Sequence, residues 1–125
     1  MSEHPPKLAV TVAGNHFRPI DDQVFFQREL DEDCVIRLER EPSNKFDGNA
    51  IKILATSPYK YPETDEYEVH FIGYVPARHN TELAQAMDAG MNVEARWNST
   101  TSRVEIWYGS PQNTMDFDGA DSVDT

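Results

Sequence analysis

Six short runs of alternating or β-branched apolar residues, each cut off by turn formers, are what most restrict the fold of this 125-residue chain. Leu8, Val10 and Val12 alternate with Ala9, Thr11 and Ala13 and stop at Gly14, the period of a half-buried strand. Cys34 to Arg40 reads as a second strand, with Val35 and Arg37 on one side and Cys34, Ile36 and Leu38 competing for the core. Ala50 to Leu54 is a third, after the turn-rich run Pro42 to Asn49. Tyr67 to Tyr74 is a fourth, in which Tyr67, Val69, Phe71 and Gly73 share the apolar side and His70 falls on the solvated one. Val93 to Trp97 and Val104 to Tyr108 form a hairpin over Asn98 to Ser102, while Thr56 to Asp65, with Pro58 and Pro62, reads as a long excursion.

Helical spacing is confined to two stretches. Over Thr81 to Ala89, Leu83, Ala84 and Met87 line one face, Asn80 is placed to cap the helix and Gly90 to end it. Over Asp22 to Leu30, Phe25, Phe26 and Leu30 form the apolar side and Asp21 or Asp22 the cap. The expected fold is mainly β with one or two helices, a small six-stranded sheet curved strongly or closed into a partly open barrel. A chain of this length hides roughly two-thirds of its unfolded surface and supports one core. Residues 1–7 read as a disordered lead-in, residues 8–109 as a single domain and residues 110–125 as an acidic disordered tail.

Charge narrows the function classes. There are 22 acids against 11 Lys and Arg, a formal charge of −11, of which −7 belongs to residues 1–109. Wrapping a long phosphate backbone depends on clustered cations, so non-specific nucleic-acid grip is disfavoured and any such site must be local. The lone Cys34 reads as a small buried hydrophobe, and the absence of a signal-like or membrane-length apolar run points to a cytoplasmic protein. No phosphate-binding glycine loop, cysteine pair or metal-binding histidine pair is present, and His16, Asp47 and Ser43 have no spacing that makes them a triad. The expectation is a binding module, not an enzyme, with no cofactor and no metal.

The densest segment is Arg40-Glu41-Pro42-Ser43-Asn44-Lys45-Phe46-Asp47-Gly48-Asn49-Ala50-Ile51. Pro42 stiffens the strand exit, and Asn44 and Asp47 can accept from backbone amides two residues on. Those duties are structural, yet the same groups can aim amide and carboxylate acceptors and an aromatic ring at a ligand. Together with Val12-Ala13-Gly14-Asn15-His16-Phe17, Ile72-Gly73-Tyr74-Val75-Pro76 and the Asn80 to Gly90 helix, this segment resembles the HIRAN domain family. The four pieces occur in the family's order across about residues 8 to 97.

The resemblance implies a small OB-like barrel that binds the 3′-hydroxyl end of single-stranded DNA in repair or replication. Carried over by motif, His16, Phe17 and Arg18 occupy the stretch that supplies an arginine and aromatics. Asn44 and Asp47 meet the terminal nucleotide, with Asp47 accepting from the 3′-hydroxyl, and Tyr74 and Ala77 fall near a backbone phosphate. A carboxylate is suited to reading a free hydroxyl donor. Phe17 or Phe46 would stack on bases if not packed in the core. Arg18, Arg40 and, beside Ala77, Arg78 would hold phosphates, with Lys45 as a mobile helper; alternatively Arg40 is locked to Glu39, Glu41 or Asp47. The chain departs from the family's DNA-binding members in carrying His16, Phe17 and Arg18 where they have a basic residue and two tyrosines. Partners would be a single-stranded DNA 3′ end and a separate helicase, nuclease or other basic DNA-processing protein, with no membrane. The alternative is an acidic protein-interaction module that keeps the fold without DNA binding.

Overall fold

In the computed structural model, residues 4–109 are described; the acidic segment from residue 110 and the first three residues lie outside them. The order is β1 (Leu8–Val10), a 3₁₀ turn (Asn15–Phe17), α1 (Ile20–Arg28), β2 (Val35–Arg40), β3 (Ile51–Lys60) and β4 (Tyr67–Tyr74). A second 3₁₀ turn (Ala77–His79), α2 (Asn80–Asp88), β5 (Val93–Asn98) and β6 (Arg103–Tyr108) follow. The strands form two three-stranded antiparallel sheets, ordered β1-β6-β5 and β2-β3-β4.

The expected six strands are therefore present, with two helices where one or two were expected, but the sheet does not close into a barrel, and an OB-like arrangement is not supported. Between the two sheets the backbone link is the Ala13–Tyr74 bridge, with hydrogen bonds of 2.8 Å in both directions. On the other side β2 lies against β5 without a ladder. The core sits between the sheets. Ile51, Ile53 and Ala55 point inward from β3, Ile72 from β4, Val104 and Ile106 from β6, and Leu83 and Ala84 from α2. Fully burying one such aliphatic side chain stabilises by about 1.5–3 kcal/mol. Cys34 is buried at the edge of this core, and burial pushes its thiol pKa up, as a small hydrophobe's setting would.

Three local differences from the sequence expectation have physical causes. The stretch after Leu54 is not a free excursion, because β3 continues to Lys60; the register shifts between Thr56 and Lys60, around Pro58, which cannot donate to a ladder. Neither helix has a side-chain cap: Pro19 precedes α1 and His79 precedes α2, while Asn80 is turned inward for another purpose. Gly90 does end α2, at φ +82°, with its N–H donating to Met87 O at 3.0 Å.

The fourth strand has its expected bounds and the opposite orientation. Val69 is 52% exposed, whereas His70 is buried. The ring stacks on Phe25 of α1 with centroids 4.3 Å apart. Its Nδ1 lies 2.9 Å from Asp22 Oδ1, and its Nε2 lies 2.7 Å from Glu68 Oε2. Residues ahead of β1 also make contacts, since Lys7 N–H donates to Ile106 O at 2.9 Å and Trp107 Nε1 to His4 O at 2.8 Å.

Candidate nucleic-acid interface

The first half of the loop from Glu41 to Ala50 is organised around the Asn44 side-chain amide. Asn44 Oδ1 accepts from Phe46 N–H at 2.9 Å and Asp47 N–H at 3.0 Å. Its Nδ2 donates to Glu41 Oε1 at 2.8 Å and, at a longer 3.5 Å, to the Tyr74 hydroxyl. Both lone pairs and both hydrogens of Asn44 are thus engaged, so its role is to build the loop. The same Glu41 oxygen accepts from Tyr74 Oη at 2.7 Å, and Lys52 stands 3.5 Å from the other oxygen. Asn44 and Tyr74 hold the Glu41 pKa below the ordinary carboxylate value, and burial with Glu41 as acceptor raises that of Tyr74.

Asp47 is fixed from two sides. Asn80 Nδ2 donates to Oδ2 at 2.8 Å across the cleft, and Asn49 N–H donates to Oδ1 at 2.9 Å. These bonds, Asn80 first, lower its pKa. Each carboxylate oxygen retains a lone pair, so Asp47 is an oriented, ionised acceptor at neutral pH. Around it lies an open cleft of about 280 Å³ lined by Ala13, Phe46, Asp47, Tyr74, Ala77 and Asn80, with Asn44, Ala50 and Val75 completing the wall. Phe46 is 96% exposed, which excludes the core role left open for it.

Of the residues singled out in the sequence, Asn44, Phe46, Asp47, Tyr74 and Ala77 come together in this cleft. His16 and Phe17 sit on the 3₁₀ turn that follows Ala13, both exposed and with ring centroids 4.0 Å apart. That turn is tied down by Asn15 Nδ2 donating to Ile72 O at 2.8 Å and Gln23 Nε2 donating to Arg18 O at 2.7 Å. Phe17 is 82% exposed, so it too is outside the core. Arg18 lies over the Phe71 ring at 3.7 Å, donates from Nε to Phe71 O at 3.0 Å and pairs with Asp22 Oδ2 at 3.0 Å. Arg78 is exposed on the turn after Pro76 and lines a different groove.

Arg40 is locked, as one reading of the sequence allowed, but by a residue that reading did not name. Its Nε donates to Asp88 Oδ1 at 2.9 Å and its Nη2 to Asp88 Oδ2 at 3.2 Å. Nη1 and Nη2 also donate to Ala50 O at 2.8 Å and Gly48 O at 2.9 Å. Arg40 therefore pins both the loop and the end of α2. Arg40→Ala is expected to cost about 2 kcal/mol in a urea melt, since carbonyls and a carboxylate lose a charged donor; an unchanged midpoint would remove this structural role.

Asn80 was missed as a site residue because its position before a helical period reads as a cap, and nothing in its spacing reveals a partner on another loop. Ala13 and Val75, as small wall residues, lie inside the motif pieces but have no side-chain chemistry that would single them out. Among the described residues, no three His, Cys, Asp or Glu side chains gather as a metal site, and no helix is long and apolar enough to cross a membrane.

The family model for the HIRAN domain matches residues 7–110. Among solved structures, the chain is similar to a crystal structure of a protein from Lactobacillus plantarum, a structural-genomics target. The two share 22% identity with a TM-score of 0.52, over 78% of this chain and 85% of that one. That likeness bears on the fold alone. No curated protein matches the sequence.

Proposed function

The chain belongs to the HIRAN domain family, whose domains are known as nucleic-acid-binding modules, and from that premise we propose that it holds the 3′-hydroxyl end of single-stranded DNA without catalysis. The observation that carries this reading is Asp47, an ionised carboxylate held by Asn80 and the Asn49 N–H beside a fully exposed aromatic ring, Phe46. A terminal nucleotide differs from an internal one by a free hydroxyl donor, which a fixed carboxylate accepts. Its base has a π-face that an exposed phenylalanine can stack on without reading sequence. The acidity of residues 1–109 is compatible with this mode, because end recognition needs few phosphate contacts. Protein partners such as a helicase or nuclease would then be brought to the captured end.

The test is a titration of otherwise identical single strands ending in a 3′-hydroxyl or a 3′-phosphate. The phosphate brings about −1.5 to −2 charges against Asp47, so binding is expected to fall at least about ten-fold. Asp47→Asn, which keeps the side-chain shape, is expected to erase that preference. Phe46→Ala is expected to weaken the hydroxyl strand by about 1–3 kcal/mol with no loss of thermal stability, the ring being outside the core. Equal affinity for both ends, or no binding at low salt, overturns the reading and favours an acidic surface that engages a basic protein.

A further inference from the structure

Beyond the Asp47 cleft, the 3₁₀ turn Ala77–His79 divides two concavities. Ala77 lines the cleft, and its neighbour Arg78 lines a groove on the other side, between α2 and the β1–β6 edge. Asn49, on the loop that carries Asp47, donates from Nδ2 to Thr81 Oγ1 at 3.4 Å, and Thr81 lies in the groove wall. The groove consists of adjoining hollows of about 340 and 320 Å³ that share Glu82, Gln85 and Tyr108. Each is at the lower end of the range for small-ligand sites, about 300–1,000 Å³.

Its charge is unlike that of the chain as a whole. Lys7 and Arg78 stand in its lining against one acid, Glu82. No carboxylate among the described residues pairs with either cation, in contrast to Arg18, Arg40, Lys52 and Lys60. Lys7 Nζ instead sits 4.6 Å from the centroid of the half-buried Tyr108 ring. Two cations without a carboxylate partner thus share the groove with a phenol ring, and Arg78 is the sequence neighbour of Ala77 in the cleft, so these are groups that a phosphate and a base would meet on leaving it.

We propose that this groove is a second subsite for the same single strand, in which Arg78 and Lys7 take phosphates upstream of the bound end and Tyr108 stacks on a base. The proposal rests on the nucleic-acid reading of the Asp47 cleft. It implies that affinity grows with strand length even though most of the surface is acidic. Glu82 limits that gain, because it opposes the phosphates from within the groove.

The experiment compares a dinucleotide, a tetranucleotide and an octanucleotide of thymidine, all with free 3′-hydroxyls, on the full chain and on Lys7→Gln, Arg78→Gln and Glu82→Gln. The parent is expected to bind the octanucleotide more tightly than the dinucleotide. Lys7→Gln should lose about ten-fold in octanucleotide affinity, the worth of a charged hydrogen bond. Its salt slope should fall by about 0.7, one phosphate's share on a single strand. Its dinucleotide affinity should stay unchanged. Arg78→Gln should weaken the octanucleotide as well, and Glu82→Gln should strengthen it. A dinucleotide that binds as tightly as the octanucleotide sinks the groove and leaves the cleft standing. An octanucleotide affinity untouched by Lys7→Gln does the same. Failure of every strand to bind the parent sinks both.

Discussion

Gly73→Ala is expected to be the most damaging single-methyl change in the domain, costing about 3–4 kcal/mol in a urea or thermal melt. Gly73 has φ +154° and lies buried in β4 opposite Ile53, where the register shifts. A Cβ there would stand 2.5 Å from both Ala13 O and Val12 Cγ1. Backbone cannot swing aside as a flexible side chain can, so the segment carrying Val12 and Ala13 must lift. Lifting it breaks both 2.8 Å hydrogen bonds of the Ala13–Tyr74 bridge, worth about 1 kcal/mol each, and the backbone strain adds to that. The same motion displaces Ala13, which lines the Asp47 cleft, so strand binding should fall with stability. Gly48→Ala is the control: its φ is ordinary and the nearest atom to a Cβ is Pro42 O at 3.9 Å, so it should be neutral or slightly stabilising. Equal melting of the two variants would remove the close approach as the cause.

The second large effect is a pH-dependent one at His70. Both of its ring nitrogens face carboxylate oxygens, Nδ1 at 2.9 Å from Asp22 and Nε2 at 2.7 Å from Glu68. A neutral imidazole has one N–H and would turn a lone pair on one of these acids, so the two facing carboxylates favour the imidazolium. Burial alone would lower its pKa, but the pairing with Asp22 and Glu68 outweighs burial and leaves it above the ordinary value of about 6.5. Because the folded value is raised, the stabilisation is full below about pH 6.5 and is lost as pH rises through the folded pKa. His70→Gln is expected to cost about 3 kcal/mol at pH 6, by leaving Asp22 with Arg18 alone, Glu68 without its imidazolium partner and Phe25 without its stacked ring. The deficit should shrink toward alkaline pH. Parallel stability profiles for parent and variant between pH 6 and pH 9 would show that no proton is held here.

These two positions also show what a sequence conveys. The bounds of β4 were legible because Tyr67 to Phe71 alternates and the run continues apolar to Tyr74, yet alternation has two phases and does not say which faces the core. Val69 and Phe71 are the more apolar set, so they were expected inside. Tertiary context reversed this: the inward side meets α1, where Phe25 and Asp22 give a histidine a stacked ring and a counter-ion. The α2 helix and the β5–β6 hairpin were legible for the same reason that isolated elements usually are, local period plus a stop at Gly90 or Asn98 to Ser102. The split into two sheets was not, since which strands pair is a non-local choice that spacing does not encode. At the cleft, Asn44 and Asp47 were legible because turn-forming amides and acids act on the backbone beside them. Asn80 and Asp88 were not, as their partners lie 33 and 48 residues away.

The ladder that joins β1 to β6 sets the order in which this domain can be completed. Leu8 pairs with Ile106, nearly a hundred residues later, and Val10, one of the most deeply buried side chains, belongs to that ladder. A chain emerging from the ribosome can assemble β2-β3-β4 as local hairpins while β1 still has no neighbour. Only after β6 is free can the first strand dock and shut the core. Pairings of this span close slowly, over milliseconds to seconds, compared with helical domains. Until then β1 waits as an unpaired edge, an interval in which a nascent chain is open to intermolecular strand pairing.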